Sequence, residues 1–299
     1  MLAGMRDARC LLFLPGTRPE LLPKALESGA PLVCVDLEDA VAPADKDVAR
    51  EHARQVLADP DIPMHRVALR INHPSTPAGD DDLRMLVEER PAAPASTGET
   101  THRLTLLIPK VDAPEDVALV RERWKAGNTP PELVALIESA RGLQRVDAIA
   151  AATGVGGLLF GGLDLSLDLG AALDWEALLY ARSRAVVAAR VADVPLMDTP
   201  HFDVDAEAAL TTEARRARRL GFDGKAAIHP RQVRPIMDAF SASEEELAKA
   251  KRILEAAEGA GEGVFALDGV MVDRPAVEAA RRTVASEVHP ESGAGGPGR

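Results

Sequence analysis

Leu32-Val33-Cys34-Val35-Asp36-Leu37-Glu38-Asp39 is an apolar run that stops abruptly on carboxylates. It follows the breaker Gly29-Ala30-Pro31, is too short for a helix and does not alternate with polar residues, which is how a strand buried on both faces reads. Seven more such runs lie at 11–14, 67–71, 104–108, 133–137, 156–160, 194–197 and 224–228. The segments between them read as helices. At 19–28, Leu21, Leu22, Ala25 and Leu26 share a face and Gly29 is the stop. A segment opening at 113–116 carries Glu115 and Asp116 in its first turn, and the segments 141–152 and 205–220 follow the same pattern, the second closed by Gly221. Eight strand–helix units in succession predict an α/β chain folded as a (β/α)8 TIM barrel. A doubly wound open sheet is the alternative, but no G-x-G-x-x-G follows the first strand.

The chain continues past the eighth run. Residues 243–257 form an amphipathic pattern opened by a Ser243–Glu246 capping box, followed by a Gly-rich turn, a short apolar segment at 264–267 and a final helix from Arg274. The expected division is a barrel over 1–235, a C-terminal helical extension over 236–290 that can reach a neighbouring subunit, and a disordered tail over 291–299. The Pro-, Ala- and Thr-rich stretch 91–101 precedes a strand, so it is expected at the bottom face of the barrel.

The net charge of −12 excludes a general affinity for nucleic acid or anionic membrane, which need basic surface. No apolar run reaches the ~20 residues that span a bilayer, and no signal-peptide pattern opens the chain. Cys10 and Cys34 sit in apolar runs and read as core residues rather than a disulfide. A soluble, cytoplasmic protein is expected. Aromatics make up only 3% of the residues, so the core is expected to be built from Leu, Val, Ala and Ile.

In a barrel, chemistry sits at the carboxyl ends of the strands. Those ends carry Thr17-Arg18, Asp36-Leu37-Glu38-Asp39, Arg70-Ile71-Asn72, Pro109-Lys110, Glu138-Ser139, Leu163-Asp164, Asp198 and His229. Glu138 and Asp164 are one βα unit apart and are expected on neighbouring strands. Two carboxylates there suit a Mg²⁺ that completes its shell with waters and an oxygen-rich substrate. Taken singly, each has an equally good structural reading: Asp164 as a helix cap, Glu138 as a partner of Arg141. Taken with the ring of strand-end charges, metal binding is favoured. Arg70 offers a planar fork for a substrate carboxylate, or an ion pair with Glu38 or Asp39. Backbone N–H groups of the Pro15-Gly16-Thr17 turn suit an anion. The histidines show no H-x-x-x-H or H-E-x-x-H spacing, which argues against zinc.

Taken in order, Leu12-Phe13-Leu14-Pro15-Gly16-Thr17-Arg18-Pro19, Val35-Asp36-Leu37-Glu38-Asp39-Ala40-Val41, Leu69-Arg70-Ile71-Asn72, Leu136-Ile137-Glu138-Ser139-Ala140-Arg141-Gly142, Gly221-Phe222-Asp223-Gly224-Lys225-Ala226-Ala227-Ile228-His229-Pro230 and Met271-Val272-Asp273-Arg274-Pro275 resemble the citrate lyase β-subunit-like family of the HpcH/HpaI aldolase and malyl-CoA lyase superfamily. The resemblance implies a barrel assembled as a homotrimer or hexamer. It implies Mg²⁺ at Glu138 and Asp164 and a substrate carboxylate or carbonyl on Arg70; Glu138, and Thr17 and Arg18 on the turn after the first strand, are expected to bind substrate as well. Asp273 matches the acid/base that a neighbouring subunit supplies. The implied reaction is cleavage of a 3-hydroxyacyl thioester of the citryl- or malyl-/methylmalyl-/citramalyl-CoA type, on CoA or an acyl carrier, to a 2-oxo acid and an acyl thioester. The alternatives are a pyruvate aldolase acting on free hydroxy-keto acids and a non-catalytic subunit of a lyase complex. Ser139 stands where the family often has Thr, and Leu163 where it often has Glu. The second departure removes a carboxylate beside Asp164 and bears on substrate identity.

Overall fold

The computed structural model describes residues 5–6, 8–88, 103–124, 129–260 and 263–285. The stretch at 91–101 and the tail at 291–299 lie outside the described residues. The chain divides into two compact units, Met1–Ile236 and Met237–Arg299.

The first unit is a closed barrel of eight parallel strands in chain order: β1 Cys10–Pro15, β2 Leu32–Asp36, β3 Val67–Arg70, β4 Thr105–Ile108, β5 Glu132–Ile137, β6 Val155–Phe160, β7 Leu196–Asp198 and β8 Gly224–Ala227. β1 closes the ring by pairing with both β2 and β8. Leu11, Cys34, Ala68, Leu107, Val134, Leu136, Leu159, Met197 and Ala226 form a core of small and branched side chains, with Phe13 packed against it. That is the filled interior of a small barrel, as a sequence so poor in aromatics requires. Cys10 and Cys34 are free and buried; burial pushes the Cys10 thiol up to about 12.

Most strand ends shift by a residue or two from expectation, and at two of them the cause is visible. β7 begins at Leu196 because Asp193, in the left-handed region at φ 52°, ends the helix Leu179–Ala192, and the Val194 N–H still donates to Ala189 O at 3.0 Å. β8 ends at Ala227 because the Ile228 N–H turns to Gln232 Oε1 at 2.9 Å. The helix Glu207–Leu220 stops as predicted on Gly221, at φ 115°, where a side chain would be strained and its Cβ would meet Val186 Cγ1 at 2.9 Å.

In the second unit, the capping box closes the start of the helix Glu244–Ala260: Ser243 N donates to Glu246 Oε2 at 2.8 Å and Glu246 N to Ser243 Oγ at 3.1 Å. The apolar segment near 264 is half of an antiparallel hairpin, β9 Phe265–Leu267 with β10 Val270–Val272. Its turn is Asp268-Gly269, both at positive φ (51° and 76°), the dipeptide that two-residue hairpins favour. The last helix is Arg274–Ala285. Among the described residues no helix is long and apolar enough to cross a membrane.

Candidate functional site

The register that pairs β2 with β3 sets Asp36 opposite Arg70. Asp36, 1% exposed, accepts from Arg70 Nε at 2.7 Å and Nη2 at 2.6 Å, and from the Glu38 and Ala40 N–H groups at 2.9 and 3.1 Å. Arg70 Nη1 reaches Glu38 Oε2 at 3.1 Å, and its Cζ lies 5.0 Å from the Phe13 ring centroid. Burial works against the charge on Arg70, but hydrogen bonding to Asp36 together with the negative charges of Asp36 and Glu38 pushes the pKa up. A guanidinium has five N–H donors, and these contacts use three, so one N–H on each terminal nitrogen is left for a ligand.

Lys110 has an unusual backbone for its residue type, at φ 52° in the left-handed region. Its N–H donates to Glu138 Oε1 at 2.6 Å, while its ammonium pairs with Glu38 and, at 3.2 Å, with Asp39. Strand β5 delivers Glu138, and the glycine after β6 makes room for it: a Cβ on Gly161 would lie 2.4 Å from Glu138 Cβ and 2.5 Å from its Oε2. Asp164 follows in the first turn of the helix Gly162–Leu169. Burial raises the Glu138 carboxyl, the Lys110 N–H opposes this, and the negative charges of Glu38 and Asp164 add to it, leaving the pKa at about 7.

The bland readings of the two carboxylates do not match this geometry. Arg141 lies nearest Asp112, at 4.0 Å, rather than pairing with Glu138. The residue at the N-cap of the helix Gly162–Leu169 is Gly161, not Asp164. The Ser139 hydroxyl caps the helix Ala140–Gln144 and bonds Asp112.

Arg70, Glu138 and Asp164 together line a cavity of about 220 Å³ at the mouth, with Phe13, Asp36 and Asp39. Thr17 and Arg18 are not among its lining residues. In their turn, Gly16 N already donates to Asp36 O at 2.8 Å and Arg18 N to Pro15 O at 2.9 Å, while the Arg18 side chain pairs with exposed Glu20. Asp198 belongs elsewhere too: it is fully buried against Lys225 Nζ at 2.8 Å and Arg182 Nε at 3.0 Å. The sequence reading offered Glu38 or Asp39 as an ion-pair partner of Arg70, and Glu38 takes that place; it put Asp36 and Lys110 at strand ends without roles, and their clustering with Arg70 and Glu138 depends on strand register.

Among the described residues no group of three or more His, Cys, Asp and Glu is gathered as a metal cage. The donors that fit a metal are Glu138 and Asp164, both oxygen ligands. A divalent cation between them would relieve the crowding that raises Glu138 and would keep the open positions characteristic of Mg²⁺.

A parallel eight-stranded barrel with carboxylates gathered around a clamped arginine at its mouth is the frame of an enzyme for small, oxygen-rich anions. Residues 9–230 match the family described as HpcH/HpaI aldolase/citrate lyase, and residues 178–286 match the C–C bond lyases of the TIM-barrel fold. The chain is 32% identical over 288 residues to the citrate lyase subunit beta of Leuconostoc mesenteroides subsp. cremoris, covering 93% of each chain. It is 32% identical to the L-malyl-CoA/beta-methylmalyl-CoA lyase of Cereibacter sphaeroides, covering 92% of this chain and 93% of that one. A crystal structure of the protein CitE from Mycobacterium tuberculosis, in complex with magnesium, acetoacetate and coenzyme A, superposes with a TM-score of 0.79 at 32% identity, covering 95% of this chain and 100% of that one. The chain belongs to the HpcH/HpaI aldolase/citrate lyase family, and it is a carbon–carbon lyase.

Proposed function

We propose that the chain cleaves a 3-hydroxyacyl thioester whose hydroxyl-bearing carbon carries a carboxylate, giving a 2-oxo acid and an acyl thioester. The observation that carries this reading is the mouth itself: Glu138, held at about 7 by burial and like charge, shares one cavity with Asp164 and with a clamped Arg70 that has donors to spare. The relatives' names and the magnesium and coenzyme A of the M. tuberculosis structure support it.

Glu138 and Asp164 hold the Mg²⁺. When bound, that ion supplies Lewis-acid polarisation of the substrate hydroxyl and carboxylate. Arg70 grips the carboxylate and offsets negative charge that develops in the transition state. Lys110, fixed by Glu38 and Asp39, keeps the Glu138 carboxylate oriented through its N–H. The hydroxyl proton leaves for solvent, the hydroxyl carbon becomes a carbonyl, and the electron pair of the broken C2–C3 bond stays on the acyl α-carbon as an enolate. Asp273 returns a proton to that carbon. Thr17 and Arg18, on the turn after β1, meet the distal part of the thioester. The chain acts as a homotrimer or hexamer in which a neighbouring copy supplies Asp273.

The test is a screen of CoA and acyl-carrier thioesters for cleavage, with Mg²⁺ and with EDTA. Mg²⁺-dependent release of a 2-oxo acid is expected. Cleavage of free hydroxy-keto acids in preference to thioesters would replace this reading with a simple aldolase, and full activity in EDTA would remove the metal from it.

A further inference from the structure

The mouth is two-sided. Its charged groups, Asp36, Asp39, Arg70, Glu138 and Asp164, come from the strand ends of β2, β3, β5 and β6. The helix after β6 adds Leu163 beside Asp164, and the chain after β7, β8 and β1 itself add Thr199, Pro200, Phe202, Ile228 and Phe13 to the lining, the last of them against Arg70. None of these six carries a charge. Leu163, Phe202 and Ile228 stay 40%, 43% and 38% exposed, so three large apolar side chains stand open at the rim of a site for anions. The Thr199 hydroxyl accepts the Gly162 N–H at 3.2 Å and keeps its own O–H, a neutral donor, on this side. The cation behind this wall, Lys225, is fully buried, and its donors go to Asp198 at 2.8 Å, Thr199 O at 2.7 Å and Glu213 at 2.5 Å. On the charged side, Lys110 is taken by Glu38 and Asp39, and Arg70 keeps one fork edge. Among the described residues, the cavity therefore has a place for one substrate carboxylate and a wall that offers a second one a neutral hydroxyl but no cation.

We infer that this wall selects the substituent on the hydroxyl-bearing carbon: hydrogen or a short alkyl group, and not a carboxymethyl group. The inference rests on the lyase reading above and narrows its substrate to thioesters that release glyoxylate or pyruvate rather than oxaloacetate. A methyl group gains apolar contact with Phe202, Ile228 and Leu163, worth roughly ten-fold in kcat/KM over hydrogen. A carboxylate held against the same wall loses hydration without gaining a cation, which lowers kcat/KM by about a hundred-fold.

Malyl-, citramalyl- and citryl-CoA differ only in that substituent, being H, CH3 and CH2COO⁻ in turn. Initial rates for the three with Mg²⁺ are expected to place citramalyl-CoA first and citryl-CoA last. Citryl-CoA turned over as well as citramalyl-CoA would overturn the inference. Ile228→Arg puts a cation on the wall and is expected to raise the citryl-to-citramalyl ratio by about ten-fold or more. The ratio, not the absolute rate, is read, so a partly impaired variant still decides, and an unchanged ratio in a folded variant counts against the wall. Calorimetric titration of glyoxylate, pyruvate and oxaloacetate into the Mg²⁺-loaded protein gives a readout independent of turnover: pyruvate is expected to bind more tightly than oxaloacetate, and the reverse order refutes the selection. If none of the thioesters is cleaved, the lyase reading fails while the binding order still judges the wall.

Discussion

Arg70 and Asp36 are register partners on adjacent strands, and the guanidinium meets the carboxylate through two hydrogen bonds of 2.7 and 2.6 Å. Asp36 thus fixes the plane of the fork and leaves the terminal N–H edge turned to a ligand. Arg70→Lys keeps a charge but loses the fork, and is expected to cut kcat/KM by on the order of 10²-fold, with little rescue from higher substrate. Asp36→Ala leaves Arg70 buried with only Glu38 and is expected to cost about 3 kcal/mol in urea unfolding. Wild-type kinetics in Arg70→Lys would reduce Arg70 to a structural role.

Glu138→Gln and Asp164→Asn are each expected to abolish turnover and weaken Mg²⁺ binding in chains that still unfold cooperatively. Gly161→Ala probes the same site without touching a charge. Its methyl would fall 2.4 Å from Glu138 Cβ, so Glu138 must shift, and Mg²⁺ affinity should fall by ten-fold or more, as it does when metal-supporting groups are moved. Isothermal titration with Mg²⁺ alone checks all three.

Because burial and like charge hold Glu138 at about 7, above the ordinary 4.5, the folded metal-free protein binds more protons here than the unfolded chain between those values. Stability in EDTA is therefore expected to be highest on the acid side of this window and to fall as pH rises from about 4.5 to about 7. Glu138→Gln should flatten that slope, and saturating Mg²⁺ should reverse it, because the metal binds the ionised form. Urea midpoints across the window, with and without metal, measure it.

Asp273 Oδ1 accepts the Ala276 N–H at 3.1 Å, so it does cap the last helix, as its position before Arg274 suggests. Capping occupies one carboxylate oxygen and is compatible with proton transfer at the other. Asp273→Asn preserves the cap. It should leave the thermal midpoint and Mg²⁺ affinity unchanged while lowering turnover by on the order of 10²-fold. Mixing inactive Asp273→Asn and Glu138→Gln chains under exchange conditions is expected to restore activity. Confirmed exchange with no recovery would place the acid within one chain or remove it from the reaction.

The eight strands, their order and the charged strand ends were legible in the amino-acid sequence, because a parallel strand buried on both faces must be a short apolar run and a barrel helix must begin and end in polar or breaking residues. The reciprocal Ser243–Glu246 cap was equally legible, since it involves only neighbours in the chain. The Asp268-Gly269 turn carried a readable hairpin signal that the short apolar segment beside it obscured.

What the sequence could not assign was which strand-end charges face one another. Every residue of Leu32–Asp36 is buried, so the strand has no polar alternation to say which side chain points into the barrel and which toward the helices. Asp36 and Asp198 read alike as carboxylates ending apolar runs, yet the first orients Arg70 at the mouth and the second is sealed behind it with Lys225 and Arg182. Local composition determined that this chain is a barrel with a charged rim. Closure of the sheet, with its register between distant segments, decided which of those charges form a site and which only hold the fold together.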